Sequence, residues 1–128
     1  MNIHKSAEDY LEMILMLQKE KGFVRSVDIA AHLCVSKPSV SVAMKKLREN
    51  GYITFDKDNY ILLSVTGEKV ARRMYERHRT LTDLLIRIGV TETTAKEDAC
   101  KIEHDISEET FSAICQYMNT NKKEKQEP

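Results

Sequence analysis

From residue 6 to residue 63 the apolar periodicity changes in an order that few folds accommodate. Tyr10, Leu11, Ile14, Leu15 and Leu17 recur at helical spacing between Ser6 and Lys21, and Gly22 stops that run. Ser26 opens a shorter helical run through Val27, Ile29, Ala30 and Leu33. After a break at Val35 and Ser36, the segment from Lys37 to Asn50 carries Val40, Met44 and Leu47 on one face. Gly51 ends it. Tyr52–Phe55 and Tyr60–Leu63 are then β-prone pieces joined by the polar turn Asp56–Asn59. Helix, helix-turn-helix and hairpin in that order predict a mainly α chain that opens with a winged helix-turn-helix and a two-stranded wing. In such a unit the second helix of the pair enters the DNA major groove.

Beyond the hairpin the pattern is helical throughout. Thr66 is the expected cap of a long helix running to about Ile88 and closed by Gly89. A further helix is expected from about Thr93 to Asp105, and Ser107 caps a last one through Met118. Residues 119–128 are polar and read as a disordered tail. The expected organisation is a winged-helix domain over 1–65, a helical domain over 66–118, and that tail.

A chain of 128 residues excludes a large multidomain enzyme. Its 20 basic and 20 acidic residues balance, so a nucleic-acid face has to come from segregation of charge rather than excess. No apolar run approaches the roughly 18 residues of a membrane span, and the first residues lack the apolar core of a secretory signal, so a cytoplasmic location with no membrane partner is expected. Cys34, Cys100 and Cys115 are odd in number and widely spaced, which points to reduced thiols or a metal ligand rather than disulfides. Cys34 and Cys115 lie in apolar-periodic stretches and are expected in core packing.

On the helix from Lys37, the buried stripe leaves Lys37, Pro38, Ser41 and Lys45 on or beside the opposite side. Ser36 and Ser39 stand at its N-terminus, where short hydroxyls meet base edges or phosphates and the helix dipole favours anions. Lys45, Lys46 and Arg48 are expected to neutralise backbone phosphates, with Lys57 of the wing turn adding another contact. A merely solvated basic face is the competing explanation of that helix, and the wing favours DNA over it.

Cys100, Glu103 and His104 place sulfur, oxygen and nitrogen donors at i, i+3 and i+4. Mixed donors of that kind suit iron, cobalt, zinc or manganese, whereas the thiolate suits magnesium and calcium poorly. The alternatives are a small packed thiol beside an ordinary surface pair of Glu and His. Asp9 and Glu12 form a second i, i+3 acidic pair, although a capping box beginning at Ser6 would explain Asp9 by itself. His78, in a strongly charged stretch, is uninformative alone.

Taken together, Glu8–Glu12, the helix-turn-helix, the Arg77–His78 pair and Cys100-x-x-Glu103-His104 resemble the family of the diphtheria toxin repressor and the manganese transport regulator. The length resembles the shorter branch, which has a winged-helix domain and a helical metal-binding and dimerisation domain but no SH3-like third domain. That resemblance implies a metal-dependent repressor that binds operator DNA as a homodimer, controls metal uptake, and acts on no small-molecule substrate. It also implies the ligands Asp9, Glu12, His78, Cys100, Glu103 and His104. One ion would use Asp9, Cys100, Glu103 and His104, and a second would use Glu12 and His78 with help from Glu103 or the thiolate. The chain is a hybrid: the manganese branch typically has a carboxylate where Cys100 stands, and the iron branch has Met where Asp9 stands. Thr82 and Lys96 occupy the positions of an acid and a His in the iron branch's ancillary site, so that site is not expected. The thiolate shifts preference towards Fe(II), Co(II) or Zn(II), with Fe(II) favoured and Mn(II) close behind. Leu81, Leu84, Leu85, Ile88, Ile106, Phe111 and Ile114 are the expected dimer core and its supports. A regulator sensing oxidation or an organic ligand through Cys100 is the alternative. A two-metal hydrolase is disfavoured because nothing beyond the ligands forms a nucleophile, an acid–base pair or a substrate pocket.

Overall fold

The computed structural model describes the chain from Lys5 to Gln126, with side chains from Ser6 to Thr120. It forms two compact units, one through Met74 and the other from Tyr75 onward.

The first unit contains α1 (Lys5–Lys21), α2 (Ser26–Leu33), α3 (Lys37–Glu49), β1 (Ile53–Phe55), β2 (Ile61–Leu63) and the first turns of α4 (Val65–Arg87). Its core is the set that periodicity requires: Leu11, Ile14, Leu15 and Leu17 of α1, Ile29 and Ala30 of α2, and Val40, Met44 and Leu47 of α3. Val24, Ile53, Ile61, Ala71 and Met74 complete it. Glu8 is buried among these elements and is paired with Arg73 at 3.3 Å, the charge partner that a carboxylate withdrawn from water needs. α1 already includes Lys5, so Ser6 lies inside the helix rather than at the cap position that the alternative reading of Ser6 to Asp9 gave it.

Between α2 and α3 the backbone turns through Cys34, which adopts the left-handed conformation at φ 56°. The apolar period ends there, and Cys34 is exposed rather than packed in the core as expected; Cys115 is half-buried. Ser36 then caps α3, its hydroxyl accepting the Ser39 N–H at 3.3 Å, and Pro38 fits the first turn because no intrahelical N–H is needed there. The wing is shorter than expected, with three residues per strand paired antiparallel in the register Ile53↔Leu63, Thr54↔Leu62 and Phe55↔Ile61. Its turn is closed by Asp56, whose Oδ1 accepts the N–H groups of Asp58 and Tyr60 at 2.8 and 2.9 Å. The Ile61 N–H donates to the Val24 carbonyl at 2.8 Å, which ties the wing to the segment after α1.

The cap of α4 is Ser64 rather than Thr66. Its hydroxyl accepts the Gly67 N–H at 3.0 Å and donates to the Gly51 carbonyl at 2.6 Å, bonds that pull the helix start back two residues. Gly67 itself has no room for a side chain, since a Cβ there would lie 2.0 Å from the Tyr52 carbonyl oxygen, a backbone atom that cannot swing aside. Gly67→Ala is therefore expected to destabilise the protein by about 2 to 3 kcal/mol, measured as a lower denaturation midpoint with unchanged slope.

The second unit contains the remainder of α4, then α5 (Glu92–Ile102) and α6 (Glu108–Gln126). Gly89, at φ 109°, ends the stretch after α4, and the small residues Ala95 and Ala99 are fully buried along α5. This helix stops at Ile102, three residues before the expected Asp105, with Glu103 as its C-cap. The reason lies in α4: the buried Arg77 guanidinium donates to the carbonyl oxygens of Glu103 and Ile106, each at 3.0 Å, and to the Glu108 carboxylate. Those carbonyls are thereby satisfied without another helical turn. Ser107 caps α6 as expected, accepting the Thr110 N–H at 3.1 Å. The helix then continues to Gln126 rather than ending at Met118, because no Gly or Pro interrupts residues 119–126 and most of them are helix formers. Of the residues assigned to a dimer core, Leu81 is fully buried within the chain and Ile88 is 68 % exposed, while Leu84, Leu85, Ile106, Phe111 and Ile114 are half-buried. Among the described residues, no helix is long and apolar enough to cross a membrane.

Candidate metal centre and nucleic-acid face

The second unit brings four of the six expected ligands together. His78 comes from α4, Cys100 from the last turn of α5, Glu103 from its C-cap, and His104 from the turn that follows. His78 Nδ1 lies 3.1 Å from Glu103 Oε2 and 3.7 Å from Cys100 Sγ, and His104 Nε2 lies 3.3 Å from Glu103 Oε1. Ligand atoms of His78, Cys100 and Glu103 all fall within 4.8 Å of one another. The helical i, i+3, i+4 geometry expected for Cys100, Glu103 and His104 is only partly kept, since His104 has already left the helix. Asp9 and Glu12 stand one turn apart on α1, Asp9 exposed and Glu12 buried. Thr82 is buried with its hydroxyl bonded to the His78 carbonyl at 2.7 Å, and Lys96 pairs with Glu92 at 3.0 Å on the surface.

Glu103 tests whether these residues fit a cation. Its side chain is 0 % exposed, yet Oε1 has no hydrogen-bond donor among the described residues. A carboxylate oxygen buried in that state is costly unless a positive charge faces it. With a thiol and two imidazoles alongside, the donor set fits a divalent transition ion. Hydrogen bonds to Cys100 and then to Glu103 push the His78 imidazole up from 6.5 to about 10, against the opposing effect of burial. His78 therefore carries a proton at neutral pH that it must give up before Nδ1 can offer a lone pair. In the metal-free protein the stability this charge contributes is complete below about 6.5 and is lost as pH rises through about 10.

In the first unit, Ser36, Lys37, Pro38, Ser39, Ser41, Lys45, Lys46 and Arg48 are all exposed, opposite the buried Val40, Met44 and Leu47. The hydroxyls of Ser36 and Ser39 are 2.8 Å apart and engaged in the cap. Arg48 reaches over the Phe55 ring at 5.8 Å, so its charge sits where α3 meets the wing. A shallow groove lined by Ser26, Ser41, Lys45, Arg48 and Phe55 extends this face to the start of α2. Lys57 is exposed at the wing turn. Two residues of this face were not singled out by sequence reasoning: Ser26, read only as a helix start, and Val42, 56 % exposed on α3 beside Ser41. An apolar residue breaking the period of the buried stripe was the available signal for Val42.

A winged helix-turn-helix followed by a helical unit in which an exposed thiol and two imidazoles gather around a buried carboxylate defines a metal-dependent transcription regulator. Residues 2–60 match the iron dependent repressor, N-terminal DNA binding domain, and residues 64–127 match the iron dependent repressor, metal binding and dimerisation domain. The chain belongs to the iron-dependent repressor family. It is 40 % identical over 107 residues to the transcriptional regulator MntR of Escherichia coli, covering 84 % of this chain and 69 % of that protein. The crystal structure of T. acidophilum IdeR superposes with a TM-score of 0.79 at 28 % identity, over 93 % of this chain and 55 % of that one. A manganese-dependent transcriptional repressor in complex with manganese gives a TM-score of 0.79 at 27 % identity, over 88 % of this chain and 53 % of that one. This chain thus spans little more than half the length of those solved structures.

Proposed function

We propose that this protein represses transcription by binding operator DNA as a homodimer when loaded with a divalent transition metal, and that the genes it controls serve metal uptake. The single observation that supports this most is Glu103, a fully buried carboxylate whose two oxygens lie 3.1 Å from His78 Nδ1 and 3.3 Å from His104 Nε2, the latter oxygen accepting no hydrogen bond among the described residues. A bound ion would take the place of the His78 proton and give Glu103 Oε1, which accepts no hydrogen bond among the described residues, a directional bond. Cys100 contributes sulfur, His78 and His104 contribute imidazole nitrogens, and Glu103 contributes the buried oxygen. Asp9 and Glu12 are assigned as further carboxylate ligands on the family resemblance. Fe(II) and Mn(II) are the favoured ions and Co(II) or Zn(II) are accommodated, because a thiolate among the ligands moves preference towards softer ions while cellular availability still counts.

On DNA, Lys37, Pro38, Ser41 and Val42 face base edges, where Val42 suits a thymine methyl group. Lys45, Lys46, Arg48 and Lys57 neutralise phosphates, and Ser36 and Ser39 hold the helix start at the backbone. The half-buried and exposed apolar residues Leu84, Leu85 and Ile88 are assigned to the homodimer contact. The family regulates transcription, and the protein is assigned as a regulator rather than an enzyme, located in the cytoplasm.

Cobalt(II) tests the centre optically. Anaerobic titration of the apo protein is expected to produce a thiolate-to-cobalt charge-transfer band that Cys100→Ser abolishes and Cys34→Ser and Cys115→Ser leave intact. The same band persisting in Cys100→Ser would remove Cys100 from the site.

A further inference from the structure

Arg77 is the only buried Lys or Arg among the described residues, 5 % exposed on the turn of α4 that carries His78. Nothing in the ligand set requires it. Its Nη1 donates to the carbonyl oxygens of Glu103 and Ile106 at 3.0 Å each, its Nη2 donates to the Glu108 carboxylate, and the guanidinium lies 5.2 Å from the centre of the Phe111 ring. One side chain therefore spans the end of α5, the turn bearing His104, and the first turn of α6. A cation is favourable at the C-terminal end of α5, where carbonyl groups lack intrahelical donors.

The residue whose backbone Arg77 grips is the same residue that offers the buried carboxylate. Holding the Glu103 carbonyl fixes the peptide from which that side chain springs, and holding Ile106 fixes the far side of His104. Stability alone accounts poorly for the arrangement, because Arg77 Nε is buried without an acceptor among the described residues and its ionic partner Glu108 is 69 % exposed, where an ion pair contributes little. A planar fork that reaches two carbonyls and a carboxylate at once is a geometric device that an ammonium group cannot reproduce.

We infer that Arg77 is a positioning residue for the metal centre: by clamping the Glu103 and Ile106 carbonyls and the Glu108 carboxylate, it sets how the Glu103 and His104 side chains face Cys100 and His78. The inference rests on the reading that these residues hold a divalent ion. Groups that orient ligands in this way typically change metal affinity by 10- to 100-fold when removed.

The test is an anaerobic cobalt(II) titration of the full chain, without DNA, followed by optical absorption, on wild type, Arg77→Met, Arg77→Lys and Glu108→Gln. Circular dichroism of each apo protein reports folding separately. Arg77→Met is expected to bind cobalt(II) about 10- to 100-fold more weakly with shifted ligand-field bands. Arg77→Lys is expected to recover part of the affinity but not the band positions, and Glu108→Gln to shift both in the same direction by less. A purely structural role would lower the apo melting temperature and leave the bands of the cobalt complex where they are in wild type. Wild-type affinity and unshifted bands in Arg77→Met overturn the inference. If that variant does not fold, the same result in Glu108→Gln, whose side chain is 69 % exposed, overturns it instead. Failure of wild type itself to bind cobalt(II) is a different outcome, which overturns the metal reading and the inference with it.

Discussion

Glu103→Ala is expected to abolish metal-dependent operator binding while leaving the apo protein folded. The variant removes a carboxylate that is 0 % exposed and lies 3.1 Å from His78 Nδ1 and 3.3 Å from His104 Nε2, the one oxygen donor buried between the two imidazoles. Loss of an outer partner of a ligand costs roughly 10- to 100-fold in metal affinity, and loss of the ligand itself should exceed that range. Any DNA response coupled to metal then disappears at metal concentrations that saturate wild type. Folding should survive because the burial penalty of an oxygen with no donor disappears along with the charge. His78 loses one of the two hydrogen bonds that hold its proton, so its pKa should fall from about 10 towards the ordinary imidazole range. Calorimetric metal titration and fluorescence anisotropy of labelled operator DNA measure both halves, with Glu109→Ala, an exposed acid on α6, as control. Wild-type metal response in Glu103→Ala would remove this residue from the mechanism.

The second large effect belongs to α3. Lys45→Ala combined with Arg48→Ala deletes two exposed cations opposite the buried Val40, Met44 and Leu47, and is expected to weaken binding to operator and scrambled DNA alike. Each phosphate contact on duplex DNA contributes about 0.9 to the slope of log affinity against log salt, so the double variant should lower that slope by about 2. Metal affinity should be unchanged, which separates this variant from Glu103→Ala. An unaltered salt slope would mean that these cations face solvent rather than phosphate. Val42→Ser provides the contrast, since an apolar contact to a base affects discrimination between sequences and not the salt slope.

How far the chain could be read in advance depended on whether the deciding contact was local. Val40, Met44 and Leu47 are 0, 1 and 4 % exposed because a helix with a single apolar stripe has one way to bury it, and α3 was legible for that reason. Cys34 continued the apolar pattern and so was expected inside; only the left-handed turn between α2 and α3 puts it outside. Ser64 and Thr66 are equivalent as caps on paper, and the bond from the Ser64 hydroxyl to the Gly51 carbonyl decides between them. The end of α5 was illegible because no Gly or Pro marks it; it is set by Arg77, 26 residues before Glu103 in sequence. For the same reason Arg77 drew notice only as the neighbour of His78, whereas His78, Cys100, Glu103 and His104 were nameable from donor chemistry and family resemblance. Polar residues 119–126 were read as a tail because composition outweighed helix propensity, and α6 runs through them.

Metal control of sequence-specific DNA binding is tested most directly by an anaerobic titration of the metal-free protein with Fe(II), Mn(II), Co(II) and Zn(II) against DNA from its own upstream region, with a scrambled duplex as control. A coupling of 1 to 3 kcal/mol predicts roughly 5- to 150-fold tighter binding to the upstream DNA on saturation, with no comparable gain on the scrambled duplex. Metal-independent affinity for upstream DNA that the apo protein already binds specifically would contradict the account.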